Sequence, residues 1–309
     1  MGYRNINDPS FIKIPIAMLN LRLQKIRSMK IIQVLVLSLI TLSCFSQVSK
    51  NQSPAFGNDP KHGKYLNHRG FKMYYEVYGQ GEPLLIIHGN GGEINNFRYQ
   101  IPFFAKKYQV ILADNRSHGK SVDLRDSLSY DLMTDDLNAL LDSLHKDSCY
   151  VIGWSDGGIE GLLLAMNHPK KVKKLAVTGA NLIPDAGLAI DDWVAKDLDN
   201  TIDSLAKLPN TEENKKLLKL ARMMVREPHI SHDDLLKINC PTLVIGGDQD
   251  VILPRHTLEI AENIKKANLW ILPNSGHSTP IYYKDIFNKT VNTFFKTPFS
   301  KKEKSQNFN

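Results

Sequence analysis

The stretch CYVIGWSDGGIEGLLLAM, residues 149–166, decides the fold. Its β-branched beginning and its apolar end indicate a strand that turns directly into a helix. Gly153 and Gly157 flank Ser155 at this turn, although glycine costs conformational entropy wherever the backbone does not need it. Residues 153–157 fit the pattern G-x-S-x-G, in which a serine on a strained strand-to-helix turn lifts its hydroxyl out of the sheet. The alternative is a glycine-rich turn whose serine only caps the helix.

Strand-like and helix-like segments alternate along most of the chain. Six short runs are apolar on both faces, as buried parallel strands are: residues 83–89, 109–115, 149–155, 174–180, 242–248 and 268–274. Amphipathic stretches predict helices at residues 130–144, 158–168, 258–265 and 281–295. Residues 71–79 alternate in polarity, which predicts an exposed antiparallel strand. We therefore expect an α/β fold with a doubly wound, mostly parallel sheet and helices on both of its faces.

The predicted main domain covers residues 64–297 and contains one long insertion. Residues 181–236 look helical and separate two predicted strands, which predicts a helical lid over the strand ends. Residues 47–63 are polar and contain glycine and proline, so a linker is predicted there. Residues 298–309 are expected to form a basic, solvated tail.

Residues 29–46 have the composition of a secretory signal peptide. Met29 and a lysine precede fifteen mostly apolar residues, IIQVLVLSLITLSCF, and a small residue at Ser46 provides a cleavage site. This run is shorter than a membrane-spanning helix requires, so no transmembrane anchor is predicted. We expect export to the periplasm or beyond, with synthesis starting at Met29 and residues 1–28 a non-native upstream extension. The alternative is a lipoprotein attached through Cys44, although Thr41 stands where such signals usually carry leucine.

The net charge of +7 does not indicate a nucleic-acid partner, because of where the charges lie. Residues 1–46 hold six basic residues against one acidic residue, and the rest of the chain has a net charge of only +2. The sequence contains no H-E-x-x-H, no zinc-type Cys/His spacing and no G-x-G-x-x-G, so neither a metal nor a cofactor is predicted. Cys149 and Cys240 adjoin apolar strands and are expected to be buried thiols rather than a disulfide. No signal for an oligomeric state is present.

A nucleophilic serine needs a base and an acid that orients the base. For a serine on a turn of this kind, the acid and then the histidine follow along the chain. Asp250 comes just after a predicted strand and is the expected acid. Asp248 is the weaker candidate and is interpreted as a turn-former that uses its own side chain. His277, in the loop after the last predicted strand, is the expected base.

The segment HGNGG, residues 88–92, also follows a predicted strand. Backbone N–H groups in such a turn can stabilise a developing oxyanion, and the expected donors are the amides of Asn90 and Asp156. The alternative is that these glycines merely turn the chain. His88 and His118 are interpreted as residues that fix their loops.

Five motifs occur in the order typical of one superfamily: HGNGG, DNRSHGKS, GWSDGG, GGDQD and SGH. From about residue 64 to residue 297 the chain resembles the α/β-hydrolase superfamily. Within it, the segments GWSDGGIEGLLLA, TGAN and CPTLVIGGDQDVILPRH are most similar to the valacyclovir hydrolase (biphenyl hydrolase-like) branch. The resemblance implies hydrolysis of amino-acid esters, with the Asp156 carboxylate receiving the substrate's ammonium group. The chain differs from that branch in its HGNGG loop and its export signal.

These features predict a serine hydrolase that cleaves a small carboxylic ester through an acyl-enzyme. A C–C bond hydrolase, a lactonase and an acyltransferase use the same parts and remain alternatives. A ligand-sensing module with little turnover is the alternative from another class. The residues expected to contact the substrate are Trp154, Asp156, Trp193, Leu220, Met223 and Met224. For those in the insertion, the alternative role is packing against the main domain.

Overall fold

A computed structural model of the chain describes residues 55–123, 125 and 127–300. The predicted upstream extension, signal peptide and lipid-attachment alternative lie outside these residues and stay predictions. Much of the predicted linker and tail lies outside them too. Among the helices that the structure describes, none is long and apolar enough to cross a membrane.

Eight strands form one sheet within the described residues. They are β1 (Gly63–His68), β2 (Phe71–Tyr78), β3 (Glu82–Ile87), β4 (Tyr108–Ala113), β5 (Cys149–Trp154), β6 (Val172–Thr178), β7 (Thr242–Gly247) and β8 (Ala267–Leu272). Their order across the sheet is β1-β2-β4-β3-β5-β6-β7-β8. β2 pairs antiparallel with β1 and β4, whereas the pairs from β4 through β8 are parallel. The predicted α/β fold with a mostly parallel sheet is therefore confirmed.

Helices cover the sheet between the strands. Those of the described residues are α1 (Ile101–Phe104), α2 (Tyr130–Ser143), α3 (Asp156–Asn167), α4 (Asp192–Ala206), α5 (Glu212–Met224), α6 (His232–Leu235), α7 (Pro254–Asn263), α8 (Thr279–Tyr282) and α9 (Lys284–Lys296). A short 3₁₀ turn covers Ile94–Phe97. The central helix, α3, is buried along nearly its whole length and packs against β5, β6 and α2. The residue before it, Ser155, is thereby held at the middle of the sheet.

Successive residues of the central strands face opposite sides of the sheet, as the two-residue period of a β-strand requires. On β5, Val151 belongs to one buried cluster and Ile152 to the other. On β3, Leu85 belongs to the same cluster as Val151, and Leu84 belongs to the same cluster as Ile152. The core therefore has two layers, which explains why these runs are apolar at consecutive positions.

The prediction that β2 is exposed was wrong. Most of its residues are buried, and Glu76 at its centre is fully buried. The Glu76 carboxylate accepts hydrogen bonds from the hydroxyls of Tyr74 at 2.6 Å and Tyr78 at 2.7 Å. It also accepts from the backbone N–H groups of Gly57 at 2.8 Å and Asp59 at 3.0 Å. Glu76, which the alternating pattern placed on an exposed face, is thus a buried carboxylate whose two oxygens are both hydrogen-bonded.

Two further elements differ from the prediction. β1 was not predicted, because its sequence, GKYLNH, is polar and leaves half of its residues exposed. β8 was predicted to be buried on both faces, but it is the edge strand and exposes Asn268 and Leu269. Its other apolar residues still reach both core clusters, with Ala267 packed against one and Trp270 and Leu272 in the other.

The insertion between β6 and β7 contains the helices α4, α5 and α6. None of the α4 side chains is buried, whereas α5 buries Leu220, Ala221 and Met223. The helical character matches the prediction. The function of the insertion as a lid stays a prediction. Cys149 and Cys240 are both buried free thiols, as expected.

Candidate active site

Ser155 occupies a sharp turn between the last residue of β5 and the first residue of α3. Its backbone angles, φ 57° and ψ −122°, lie in a region that residues other than glycine rarely adopt. Its N–H donates to the carbonyl of Thr178 on β6 at 2.9 Å, and its own carbonyl accepts from Gly158 at 2.7 Å. Bonds to both neighbouring elements therefore hold the serine in a strained conformation.

The glycines of the turn are explained by close approach of backbone segments. A Cβ atom on Gly153 would lie 2.1 Å from the carbonyl oxygen of Gly157. A Cβ atom on Gly157 would lie 2.2 Å from the carbonyl oxygen of Ile87, at the end of β3. No side chain fits at either position, so the G-x-S-x-G pattern is a packing requirement of this turn.

His277 links Ser155 to Asp250. Its Nε2 lies 2.9 Å from the Ser155 Oγ, and its Nδ1 lies 2.7 Å from the Asp250 Oδ1. An ionised carboxylate only accepts hydrogen bonds, so Nδ1 carries the proton and Nε2 accepts from the serine hydroxyl. The same Asp250 oxygen accepts from the N–H of Ile252 at 3.1 Å, which fixes the carboxylate. The structure brings these three sequence-predicted residues together in one hydrogen-bonded chain.

Asp248 lies outside this hydrogen-bonded chain and has another contact. Its Oδ1 accepts from the N–H of Ser275 at 3.0 Å. In return, the N–H of Gln249 donates to the Ser275 carbonyl at 3.0 Å. Asp248 thus ties the loop that carries Asp250 to the loop that carries His277, which extends the predicted turn-forming role.

The imidazole of His277 rests against backbone. Gly179, just after β6, has φ 64°, and a Cβ atom there would lie 2.7 Å from the Cε1 of His277. Glycine is therefore needed at this position both for its backbone angle and for the space that the imidazole occupies.

Asp156 begins α3, and its side chain is buried, with only 4% of the residue's surface exposed. Its Oδ2 accepts from the Nδ2 of Asn90 at 2.9 Å, and the hydroxyl of Tyr130 also bonds to this carboxylate. Burial raises the pKa of Asp156 to about 6, and the bonds from Asn90 and Tyr130 partly oppose that rise. As the first residue of the helix, Asp156 also has a backbone N–H without an acceptor in its own helix.

A second buried carboxyl group, Glu160, lies one helical turn beyond Asp156 and was missed in the sequence. It is fully buried, and its Oε1 accepts from the Nδ2 of Asn115 at 2.7 Å. Burial, followed by the charges of Asp156 and Asp136, raises the pKa of Glu160 well above its usual value. The available signal was an acidic residue in the otherwise apolar segment GIEGLLLAM. The serine is therefore followed by two acidic side chains on one buried face of α3.

The HGNGG loop is fixed by His88, as the sequence suggested. The Nε2 of His88 accepts from the N–H of Asn115 at 3.0 Å, so Nδ1 carries the proton and donates to the Gly89 carbonyl at 2.8 Å. Burial lowers the pKa of His88 to about 4, so the ring stays neutral at physiological pH. Asn90 follows Gly89, and its side chain bonds to that of Asp156, so the two residues predicted to supply the oxyanion donors are in contact.

The predicted substrate contacts lie in different surroundings. The indole of Trp154 packs edge-on against Phe97 and donates from Nε1 to the carbonyl of His277 at 2.9 Å. Trp193 lies on α4 and exposes 60% of its surface. Met223 is buried and lines a cavity of about 550 Å³ between α5 and residues 123, 125, 127 and 128, while Met224 is half-buried.

Within the described part of the chain, no group of three or more His, Cys, Asp or Glu side chains could hold a metal ion. The polar groups around Ser155 have an arrangement that can support acyl-transfer chemistry. A hydroxyl bonded to a neutral imidazole, which is bonded to a buried carboxylate, can lose its proton as the oxygen attacks a carbonyl.

A family model described as the alpha/beta hydrolase fold matches residues 82–201, which include β3 to β6 and the serine turn. Together with the sheet order, this match shows that the chain has the α/β-hydrolase fold. Its sequence is similar to serine hydrolase BPHL of Mus musculus, with 24% identity over 258 residues, 74% of this chain and 84% of that protein. The chain is thus similar to the BPHL-like branch of the α/β hydrolases.

Other relatives carry different names. A 2-hydroxy-6-oxononadienedioate/2-hydroxy-6-oxononatrienedioate hydrolase of Pseudomonas putida is 26% identical over 266 residues, 73% of this chain and 92% of that protein. The crystal structure of the enol-lactonase from Burkholderia xenovorans superposes with a TM-score of 0.63 at 19% identity, covering 76% of this chain and all of that one. The enol-lactonase likeness shows the fold alone.

Proposed function

We propose that the protein is a serine hydrolase that cleaves small carboxylic esters through an acyl-enzyme. The observation that carries this proposal is the position of His277, within hydrogen-bond distance of both Ser155 and Asp250. A histidine bonded in this way to a serine on a strained turn is the arrangement that activates a serine nucleophile.

In the proposed mechanism, the Ser155 Oγ attacks the ester carbonyl while the Nε2 of His277 takes its proton. The buried carboxylate of Asp250 holds the imidazole in the required tautomer and stabilises its positive charge. The protonated imidazole then gives the proton to the leaving alcohol, which departs as the acyl-enzyme forms. A water molecule, deprotonated by the same histidine, attacks the acyl-enzyme and releases the carboxylic acid and Ser155.

The negative charge of the tetrahedral intermediate needs fixed donors, and the backbone amides of Asn90 and Asp156 are proposed for this role. Two features support the proposal. Asp156 directly follows the nucleophile at a helix N-terminus, where N–H groups lack intrahelical acceptors. Asn90 lies in the loop that His88 fixes, and its side chain is bonded to Asp156.

Burst kinetics with a p-nitrophenyl ester test this proposal. The wild-type chain should release one equivalent of p-nitrophenol rapidly and then turn over more slowly, and mass spectrometry should find the acyl group on Ser155. Ser155→Ala should abolish both phases, whereas Ser143→Ala, at the exposed end of α2, should change neither. A burst of unchanged size in Ser155→Ala would refute the proposed nucleophile.

Amino-acid esters are the proposed substrate class, because an acidic side chain lies directly beside the nucleophile. Asp156 is buried, and its bonded partners are the neutral groups of Asn90 and Tyr130 rather than a cation. A substrate ammonium would supply the positive charge in a site sheltered from water, where an ion pair is worth more than on the surface. The alternative is a structural role, in which the Asp156 carboxylate interacts with the positive end of the α3 dipole and binds no ligand.

The same parts can serve a lactonase, a C–C bond hydrolase or an acyltransferase. The names of the relatives include an enol-lactonase and a hydrolase of oxo-dienedioates, so both substrate types belong in the test. A panel of esters, aminoacyl esters, lactones, thioesters and 2-hydroxy-6-oxo-dienoates would rank them by kcat/KM. A higher kcat/KM on a lactone or an oxo-dienoate than on any ester would overturn the ester proposal. Tight binding without turnover would favour the ligand-sensing alternative.

Export is a separate proposal that rests on the sequence of residues 29–46. Expressed from Met29 in a bacterium with a compatible secretion system, the protein should be recovered outside the cytoplasm without residues 29–46. Intact-mass analysis distinguishes this product from a full-length chain and from a lipid-modified Cys44.

A further inference from the structure

The loop that carries His277 is held by bonds on both sides of the histidine. Before it, the N–H of Ser275 donates to Asp248 at 3.0 Å. After it, the hydroxyl of Thr279 shares a 2.7 Å hydrogen bond with the hydroxyl of Thr178 at the end of β6. A third bond reaches residue 277 itself: the indole Nε1 of Trp154 donates to its backbone carbonyl at 2.9 Å.

We propose that Trp154 is a positioning residue, whose indole N–H sets the place of His277 relative to the serine hydroxyl. This inference rests on the proposed serine-hydrolase function. It gives Trp154 a different role from the substrate contact expected from the sequence.

The geometry favours this role because Trp154 directly precedes Ser155. Trp154 is the last residue of β5, and it is paired with Thr178 on β6, so its backbone belongs to the rigid centre of the sheet. Its ring packs against Phe97, with centroids 6.2 Å apart and planes at 84°. The ring is thus fixed on one side by packing and on the other by the bond to His277.

Because the indole is rigid and directly precedes Ser155, its bond to the His277 carbonyl fixes the His277 backbone relative to the serine. The bond thereby sets the distance between the His277 Nε2 and the Ser155 Oγ. That distance is 2.9 Å in the structure. Small displacements of a catalytic group are costly, since a misplacement of about 1 Å lowers rates by roughly a hundredfold. The loop of His277 lies at the surface, with Gly276 and Asn274 exposed. Packing alone therefore does not hold this loop, and the hydrogen bond from Trp154 restrains it.

The competing explanation is that the ring of Trp154 matters only as an apolar filler beside Phe97. The two explanations differ in the importance of the N–H group. Trp154→3-benzothienylalanine replaces the N–H by sulfur and keeps the shape of the ring, so it removes the bond and preserves the packing. Trp154→Phe removes both the hydrogen bond and the packing of the indole ring. Trp270→Phe, on the edge strand β8, is the matched control for loss of an indole.

The first experiment measures kcat and KM on a p-nitrophenyl ester for all four proteins. For Trp154→3-benzothienylalanine we expect kcat to fall about tenfold or more, with KM changed less than twofold, because the loss affects the reacting histidine and not ground-state binding. Trp270→Phe should keep both constants. A kcat within twofold of wild type in the benzothienyl variant would overturn the inference.

The second experiment does not depend on ester turnover. The proton on Nδ1 of His277, bonded to the Asp250 carboxylate, gives a far-downfield ¹H NMR signal whose shift and width report how well the imidazole is held. Trp154→3-benzothienylalanine should shift and broaden this signal, and Trp270→Phe should not. If the wild-type chain hydrolyses no ester, the proposed function fails while this signal still decides the role of Trp154. An unchanged signal in the benzothienyl variant would refute that role.

Discussion

Asn90 and Asp156, 66 positions apart in the chain, are joined by a 2.9 Å hydrogen bond between amide Nδ2 and carboxylate Oδ2. Both residues are proposed to donate a backbone N–H to the oxyanion, so this bond couples one donor to the other. It also means that the state of the Asp156 side chain affects the loop of residues 88–92.

Asp156→Asn should separate a role in substrate recognition from a purely structural one. The amide keeps an acceptor for Asn90 and removes the negative charge. We expect kcat/KM on an aminoacyl ester to fall roughly tenfold or more, about 1.4 kcal/mol, and kcat/KM on the matched ester without the amine to stay nearly unchanged. Equal losses on the two esters, measured under identical conditions, would mean that the carboxylate is structural.

The same variant should change the pH dependence of stability. The pKa of Asp156 is raised to about 6 by burial, so the folded state binds this proton more tightly than the unfolded state does. Its contribution to stability is therefore present below pH 4 and is lost as the pH rises to about 6 and beyond. Asp156→Asn lacks that loss and should be more stable than wild type at pH 8, by on the order of 1–3 kcal/mol.

Urea unfolding of wild type and Asp156→Asn at pH 4 and pH 8 checks this prediction. The exposed Asp199→Asn on α4 is the control and should show no such difference. A wild-type protein at least as stable as Asp156→Asn at pH 8 would contradict the expected cost of the buried charge.

The two acidic residues after β7 should differ in their effect on activity. Asp250→Asn leaves the imidazole without its carboxylate and should lower kcat by about 10³–10⁴-fold. Asp248→Asn keeps an oxygen that can accept from Ser275 and should lower kcat less than tenfold. Steady-state kinetics on one ester decides the assignment, and a larger loss in Asp248→Asn would overturn it.

Ser155 and His277 should behave as one unit. Each alanine substitution should lower kcat by several orders of magnitude, and the double substitution should cost little more, because neither residue works without the other. A double-mutant cycle on a chromogenic ester provides the measurement. Additive losses would show that the hydrogen bond between them is not used in the reaction.

Gly179→Ala should impair hydrolysis by displacing His277. The added methyl would lie 2.7 Å from Cε1 of the imidazole, so the histidine must move away from Ser155. We expect kcat to fall at least a hundredfold with the fold retained. Gly70→Ala, in the turn between β1 and β2, has a similar positive φ of 78° without a close neighbour and is the control for backbone strain. A comparable loss of kcat in Gly179→Ala and Gly70→Ala would mean that backbone strain at positive φ, and not displacement of His277, lowers the activity.

The parts of the site that were predicted from sequence are those whose chemistry requires local signals. Ser155 needs glycines at fixed offsets, and Asp250 and His277 follow strands that are recognisable by their apolar runs. Their positions could therefore be predicted one by one, and the hydrogen bonds between them follow from the order of the strands in the sheet. Their role in hydrolysis stays a proposal.

The missed features depend on contacts between distant segments. Glu160 looks like a surface residue of a helix until α2 and β4 bring Tyr130 and Asn115 to the same buried region. Glu76 looks like the polar side of an exposed strand until the N–H groups of residues 57 and 59 reach its carboxylate. No local pattern reports such partners, because burial is decided by what covers a residue.

The distance along the chain between Ser155 and His277, 122 positions, has a consequence for how the protein is made. Synthesis runs from the N-terminus, so β1 to β6 and the complete serine turn leave the ribosome well before β8 and the histidine loop do. A nascent chain at that stage holds the proposed nucleophile, Ser155, without the proposed base, His277. Under the proposed function, activity would therefore arise only when the segment that carries His277 docks against the sheet, and the growing polypeptide would be inert toward esters until then.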